Sequence, residues 1–152
     1  MGFTLIELLV TLAVAVILAT VAVPGFQRMM AVNRVAADYN EVLSGLNFAR
    51  SEAVKRRVPV EFVASNNNGA WRYVVSVDDE DLRVRGGRDA RTSLTEGSVT
   101  FNALGRRESC GPADCIFVMS SSFSGIEERR AQVTLMGRVG RAPEKDSEEV
   151  EE

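Results

Sequence analysis

Histidine is absent from this 152-residue chain. The commonest general base near neutral pH and the commonest nitrogen metal ligand are therefore both missing. Nucleophilic sites of the Ser-His or Cys-His kind are excluded, and Ser120-Ser121-Ser122 has no imidazole to activate it. Cysteine is almost absent. Cys110 and Cys115 flank four residues of a Gly/Pro loop, and a structural zinc site needs more ligands than this pair supplies. Charge is missing from one long stretch: between Phe3 and Val23 the only ionisable side chain is Glu7, and nothing else is more polar than Thr4, Thr11 and Thr20. The scattered carboxylates lie in turns without a convergent set, so the chain reads as a non-enzyme with no metal and no cofactor.

The uncharged stretch is the dominant feature. Its 21 residues rise about 31 Å as a helix, close to the thickness of a bilayer hydrocarbon core. A secretory signal peptide is the competing reading, but it would carry its positive charges first and a small-residue cleavage site afterwards. Here no Lys or Arg precedes the run, and Val23-Pro24-Gly25-Phe26 follows it. Glu7 is the anomaly. A carboxylate at mid-membrane costs about 2.5–3.5 kcal/mol, less near an interface, and such residues usually have a partner.

Pro24 and Gly25 predict an interruption, with a kink at Pro24. Beyond them Val32, Val35, Ala36, Tyr39, Leu43, Leu46, Ala49 and Ala53 recur mostly at spacings of three and four, which is the apolar stripe of a helix. Lys55-Arg56-Arg57 places positive charge where a helix C-terminus favours it, and Val58-Pro59 ends the segment. One helix over about residues 4–57 results, embedded in its first half and packed on a domain in its second.

After Pro59 the period becomes two. Val60–Val63, Trp71–Val77, a short edge strand Leu82–Arg85, Ser98–Ala103, Cys115–Met119 and Ala131–Met136 read as strands. Ser65-Asn66-Asn67-Asn68-Gly69 reads as a turn. Asp78-Asp79-Glu80-Asp81 lacks the central glycine and distal glutamate of a calcium loop and reads as a solvated hairpin end. Gly86-Gly87-Arg88 is a turn. The expected class is α+β, a long helix on one antiparallel, hairpin-connected sheet. Net charge is −3 but uneven: residues 82–141 carry ten Arg against six acids, whereas residues 142–152 carry six acids and one Lys. That last segment reads as a disordered acidic tail.

Gly2-Phe3-Thr4-Leu5-Ile6-Glu7, followed by an apolar run and Pro24, resembles the N-terminus of type IV pilins and type II secretion pseudopilins. Phe48-Ala49-Arg50-Ser51-Glu52-Ala53-Val54-Lys55-Arg56 further resembles the helix end of the GspH/FimT family of minor pilins and pseudopilins. So do Val99-Thr100-Phe101 before Gly105-Arg106 and Val133-Thr134-Leu135 before Gly137-Arg138. The resemblance implies the pilin fold. It also implies cleavage between Gly2 and Phe3 by a prepilin peptidase, N-methylation of Phe3, and pairing of Glu7 with the N-terminal amine of a neighbouring subunit. Residues 1–2 would be the remnant of a leader, 3–26 the transmembrane and filament-core helix, 27–57 its amphipathic half, 58–141 the globular β domain and 142–152 the tail. The implied partners are other pilins or pseudopilins and an inner-membrane assembly platform. The implied location is the inner membrane, with the C-terminal domain periplasmic, and then the filament. An exported domain favours a Cys110–Cys115 disulfide over two free thiols.

The implied role is that of a minor subunit near the filament tip that primes assembly. The H-type pseudopilin of a type II secretion system is the alternative. A further alternative rests on a basic Gly-Arg-x-Arg motif through which some members bind DNA. Its nearest match is Gly137-Arg138-Val139-Gly140-Arg141, with Arg106 and Arg107 as additions.

Overall fold

The computed structural model describes residue 2 and residues 4–67 and 69–143. Phe3 and the segment 144–152, on which the methylation site and most of the acidic tail were expected, lie outside the described residues.

Among the described residues one α-helix, α1, spans Leu5–Arg56. Thr4 caps it, its Oγ1 accepting the Glu7 backbone N–H at 3.3 Å. Thr4 and Glu7 thus stand at the spacing of a capping box, with an acid in the first turn where the helix dipole favours it. Thr11 and Thr20 donate their hydroxyls to Leu8 O and Ile17 O at 2.8 and 2.7 Å. Each hydroxyl is satisfied by the turn beneath it, so neither brings an unmet polar group into the apolar half. The helix is not interrupted at Pro24-Gly25, because its turns continue on both sides. Arg57 closes it in the left-handed conformation, its N–H reaching Ala53 O at 2.9 Å.

Nine strands follow among the described residues: β1 Val60–Asn67, β2 Ala70–Val77, β3 Glu80–Gly86, β4 Thr92–Leu94, β5 Gly97–Phe101, β6 Arg107–Cys110, β7 Ile116–Ser121, β8 Arg129–Val133 and β9 Val139–Arg141. They form two antiparallel sheets, not one. The first has the order β3-β2-β1-β5-β6 and the second β4-β7-β8-β9. The second sheet was not anticipated because two of its four strands, β4 and β9, have three residues each and too few positions to show a period.

Two boundaries differ for identifiable reasons. The stretch read as a turn from Ser65 belongs largely to β1. Ala64 is buried, and the Asn66 side-chain amide joins the sheets, donating to Leu94 O at 2.8 Å and accepting from Leu94 N at 3.3 Å. The strand expected over 131–136 instead ends at Val133. Thr134–Arg138 turns back, with Gly137 N on Thr134 O at 2.8 Å and Gly137 at φ 74°. Asp78 and Asp79, both at positive φ, make the tight β2–β3 turn that the acidic run suggested.

The core lies between α1 and both sheets. Val35, Tyr39, Val42, Leu46, Ala49 and Ala53 form one buried ridge at spacings of three and four. They meet Val60, Phe62, Tyr73, Val75, Val99 and Phe101 of the first sheet and Phe117, Met119, Ala131 and Val133 of the second. Phe62 is the junction, stacked on Tyr73 with centroids 5.0 Å apart and edge-on to Phe117 at 5.5 Å. Val32, read as part of the stripe, is exposed, and Val42 takes the buried position that had been read at Leu43.

Gly45 is where α1 comes closest to the sheet: a Cβ there would sit 2.6 Å from Tyr73 Cζ. Tyr73 cannot easily retreat, because its hydroxyl donates to Glu41 Oε1 at 2.8 Å. Burial first, and then this carboxylate, push its hydroxyl far above the ordinary tyrosine range. Gly45→Ala should therefore destabilise the fold by about 1–3 kcal/mol through overpacking, despite a gain of up to about 1 kcal/mol in helix propensity. Denaturant unfolding of the full chain in detergent measures this, and a stabilised variant would contradict the close approach.

Glu52 supplies a pH dependence. It is buried, and it accepts from Arg56 Nε at 2.8 Å and Lys55 Nζ at 3.3 Å. The Arg56 hydrogen bond foremost holds its carboxyl below the ordinary value of 4.5, with Lys55 adding to it against the opposing effect of burial. A depressed folded-state pKa contributes stability that is full above the unfolded value and is lost as pH falls through the folded one. Acid titration of unfolding from pH 6 downward should show this loss below about pH 4.5 in the wild type, with a shallower slope in Glu52→Gln.

Candidate functional site: the bare half-helix and the basic turns

The first half of α1 stands clear of the β domain except near its end, where Arg28 reaches Gly125 O. Every described residue from Leu5 to Met30 is exposed, including Leu5, Ile6, Leu8, Leu9, Ile17, Leu18, Val21 and Phe26. This segment is long and apolar enough to cross a membrane. Water is a poor solvent for such a surface, which at about 25 cal/mol per Å2 favours any apolar surroundings. Gly2 lies exposed just ahead of the helix. Among the described residues the Glu7 carboxylate takes part in no ion pair, and the contact recorded for this residue is through its backbone N–H.

Cys110 and Cys115 are bonded, with an S–S distance of 2.07 Å and Cα atoms 5.7 Å apart. The bond ties the end of β6, an edge strand of the first sheet, to the short 3-10 turn that leads into β7 of the second. Among the described residues no group of His, Cys, Asp and Glu side chains is arranged to hold a metal ion.

The four arginines singled out from the sequence do not form one patch. Gly105-Arg106 and Gly137-Arg138 lie in two turns that abut. A methyl group on Gly137 would overlap Gly105 O and stand 3.1 Å from Arg106 Cα. Arg106 and Arg138 are exposed there. Arg107 is committed to structure: its Nη1 donates to Val133 O at 3.0 Å and its N–H to Leu135 O at 3.2 Å. It thereby ties β6 to the end of β8.

Arg141 lies towards the opposite end of the second sheet. It pairs in register with Ala131 and acts on Tyr39, whose hydroxyl donates to Arg130 O at 3.3 Å. Burial raises the Tyr39 pKa, and Arg141 and Arg129 pull against it.

Sequence reasoning missed Arg50. Its Nε donates to Gly105 O at 3.1 Å, so the helix end holds the first Gly-Arg turn in place. No local pattern marks a contact 55 residues away.

Comparison with known proteins adds two findings. The family profile described as type II transport protein GspH matches residues 38–137. Crystal structures of the type IV minor pilin FimU of Pseudomonas aeruginosa strain PAO1 share the fold. The form in space group P21 has a TM-score of 0.56 at 21% identity, over 73% of this chain and 90% of that one. The form in P65 has a TM-score of 0.52 at 20% identity, over 68% and 89%. No curated protein matches the chain. The family match begins within the amphipathic half of α1, covers β1 to β8 and ends at Gly137, and on that extent the chain belongs to the GspH family.

Proposed function

We propose that the protein is a minor subunit of a type IV pilus-type filament. In this reading α1 anchors it in the inner membrane with its β domain on the periplasmic side. Prepilin peptidase cleaves between Gly2 and Phe3, and the N-terminus of Phe3 is methylated. An inner-membrane assembly platform then moves the subunit into the filament, near the tip, where it helps prime assembly. The FimU fold supports the pilus reading, and the description of the matching family favours a type II secretion filament as the second one.

The observation that carries the proposal is Glu7, one carboxylate on an otherwise uncharged and uncovered half-helix. An unpaired charge in apolar surroundings is costly, and a close ammonium from a neighbouring chain end offsets that cost. The free energy is available only when the neighbour stands at one axial position, so Glu7 sets register. The bend expected at Pro24 would let the two halves of α1 take different directions in the filament.

Two predictions follow from this reading. Glu7→Ala should abolish co-purification with filaments while leaving membrane insertion intact. Glu7→Gln should fail in the same way, because it keeps the side chain's hydrogen-bonding capacity at the helix start but not its charge. Filament and membrane fractions probed for the protein decide this, and normal incorporation of both variants would rule out the register role.

The abutting Gly-Arg turns favour a nucleic-acid reading confined to Arg106 and Arg138. Phosphate contacts of this kind are sequence-independent and weaken steeply with salt. In gel shifts with double-stranded DNA at two salt concentrations, Arg138→Ala should weaken binding and lower the salt slope by about one phosphate. Arg141→Ala should leave the slope unchanged. No shift at low salt rejects this activity.

A further inference from the structure

Between the base of the β domain and α1 lies an open cleft of about 490 Å3. Phe26 and Met30 of the helix and Phe123 of the β7–β8 loop are among the residues that line it, and all three are exposed. Arg34 and Arg91 also line it, together with Ser121 and Ser122. Asp89 bridges the two guanidinium groups, 3.4 Å from Arg34 Nη1 and 3.7 Å from Arg91 Nε. One carboxylate between two cations fixes both and leaves one positive charge over. Arg91 keeps 70% of its side chain exposed. Such an arrangement is apolar on one side and cationic on the other, and part of its charge remains uncompensated.

The position of the cleft along α1 narrows what could occupy it. From Leu8 to Phe26 the helix rises about 28 Å, enough for a hydrocarbon core, which leaves Glu7 at one boundary and Phe26 at the other. Arg34 lies about 12 Å further on, and a helical side chain leans back towards the N-terminus, here towards the bilayer. Arg28 follows Phe26 by two residues, and its Nη2 donates to Gly125 O at 3.2 Å, which brings the β7–β8 loop down to the same level. The apolar side of the cleft thus meets the acyl region and its cationic side the headgroups.

We infer that this cleft binds one anionic phospholipid, with the phosphate at Arg34 and Arg91 and acyl chain against Phe26, Met30 and Phe123. The inference rests on the membrane-anchored reading of α1. The lipid would orient the β domain on the bilayer before the subunit leaves the membrane, and the site would empty on extraction.

The test uses the full-length chain in neutral detergent, offered equal amounts of phosphatidylglycerol and phosphatidylcholine, with retained lipid counted by native mass spectrometry. The wild type should retain one phosphatidylglycerol with about a tenfold preference, the scale of one to two surface cations. Arg34→Gln combined with Arg91→Gln should lose the preference, as should Arg91→Gln alone to a smaller extent. Arg106→Gln combined with Arg138→Gln, remote from the cleft, should keep it. Inorganic phosphate in large excess should not displace the lipid, because it lacks the acyl contacts. Displacement by phosphate, equal retention of both lipids, or a dimer in place of a lipid-bound monomer overturns the site. Reconstitution into bilayer nanodiscs separates the two readings: failure to enter the bilayer defeats the anchor, whereas entry without lipid preference defeats only the cleft.

Discussion

One helix has to satisfy two unlike surroundings, and the rest of the structure depends on how that is arranged. Over Val35–Ala53 a single ridge is buried against two sheets. Over Leu5–Phe26 the same helix is exposed and, Glu7 apart, carries no charge. The first half is a surface that membrane or other helices can cover, and the second is the organising column of a β domain. The helix runs unbroken between them, with Glu7 and Val35 about 40 Å apart along it.

Polar contacts tie the domain to that column, among them Tyr73 to Glu41, Arg50 to Gly105 O and Tyr39 to Arg130 O, and others tie its two sheets together. Asn66 joins the first sheet to β4, Thr92 Oγ1 donates to Asp38 Oδ2 on the helix at 2.5 Å, and Arg107 ties β6 to the turn after β8. The Cys110–Cys115 bond sits beside the same crossing from the first sheet to the second. Aromatic packing around Phe62 fills the space between the two sheets. Glu7, on which the proposed assembly role rests, stands at the far end of α1 from these links.

The arginine-rich half of the domain shows how tertiary placement sorts residues that look alike in sequence. Arg106 and Arg138 come together because two glycine turns abut, and Arg107, one residue away, is spent on backbone carbonyls. Arg141 is carried towards the other end of the second sheet by the direction of β9. Arg34 and Arg91, with β1, β2 and β3 between them in the chain, share Asp89 beside the bare helix.

The extent of α1, its buried stripe and the hairpin β1–β2 were legible because each repeats a period over many residues, and repetition is what a linear pattern can record. The edge strand β3 was legible from its alternating arginines, and the Asp78-Asp79 turn from its composition. Strands β4, β6 and β9 were not, because three or four residues stabilised by partners far along the chain leave no local signal. The division into two sheets was hidden for the same reason: Asn66, the residue that joins them, is polar and reads as a turn until its partner at Leu94 is known. The sequence by itself determined a helix half apolar on all faces with one acid near its start, since helical period and lack of charge are properties of consecutive residues. Only the tertiary structure decided which arginines are neighbours and where a cleft opens at the base of the domain, since those depend on strand direction and on contacts between segments far apart in the chain.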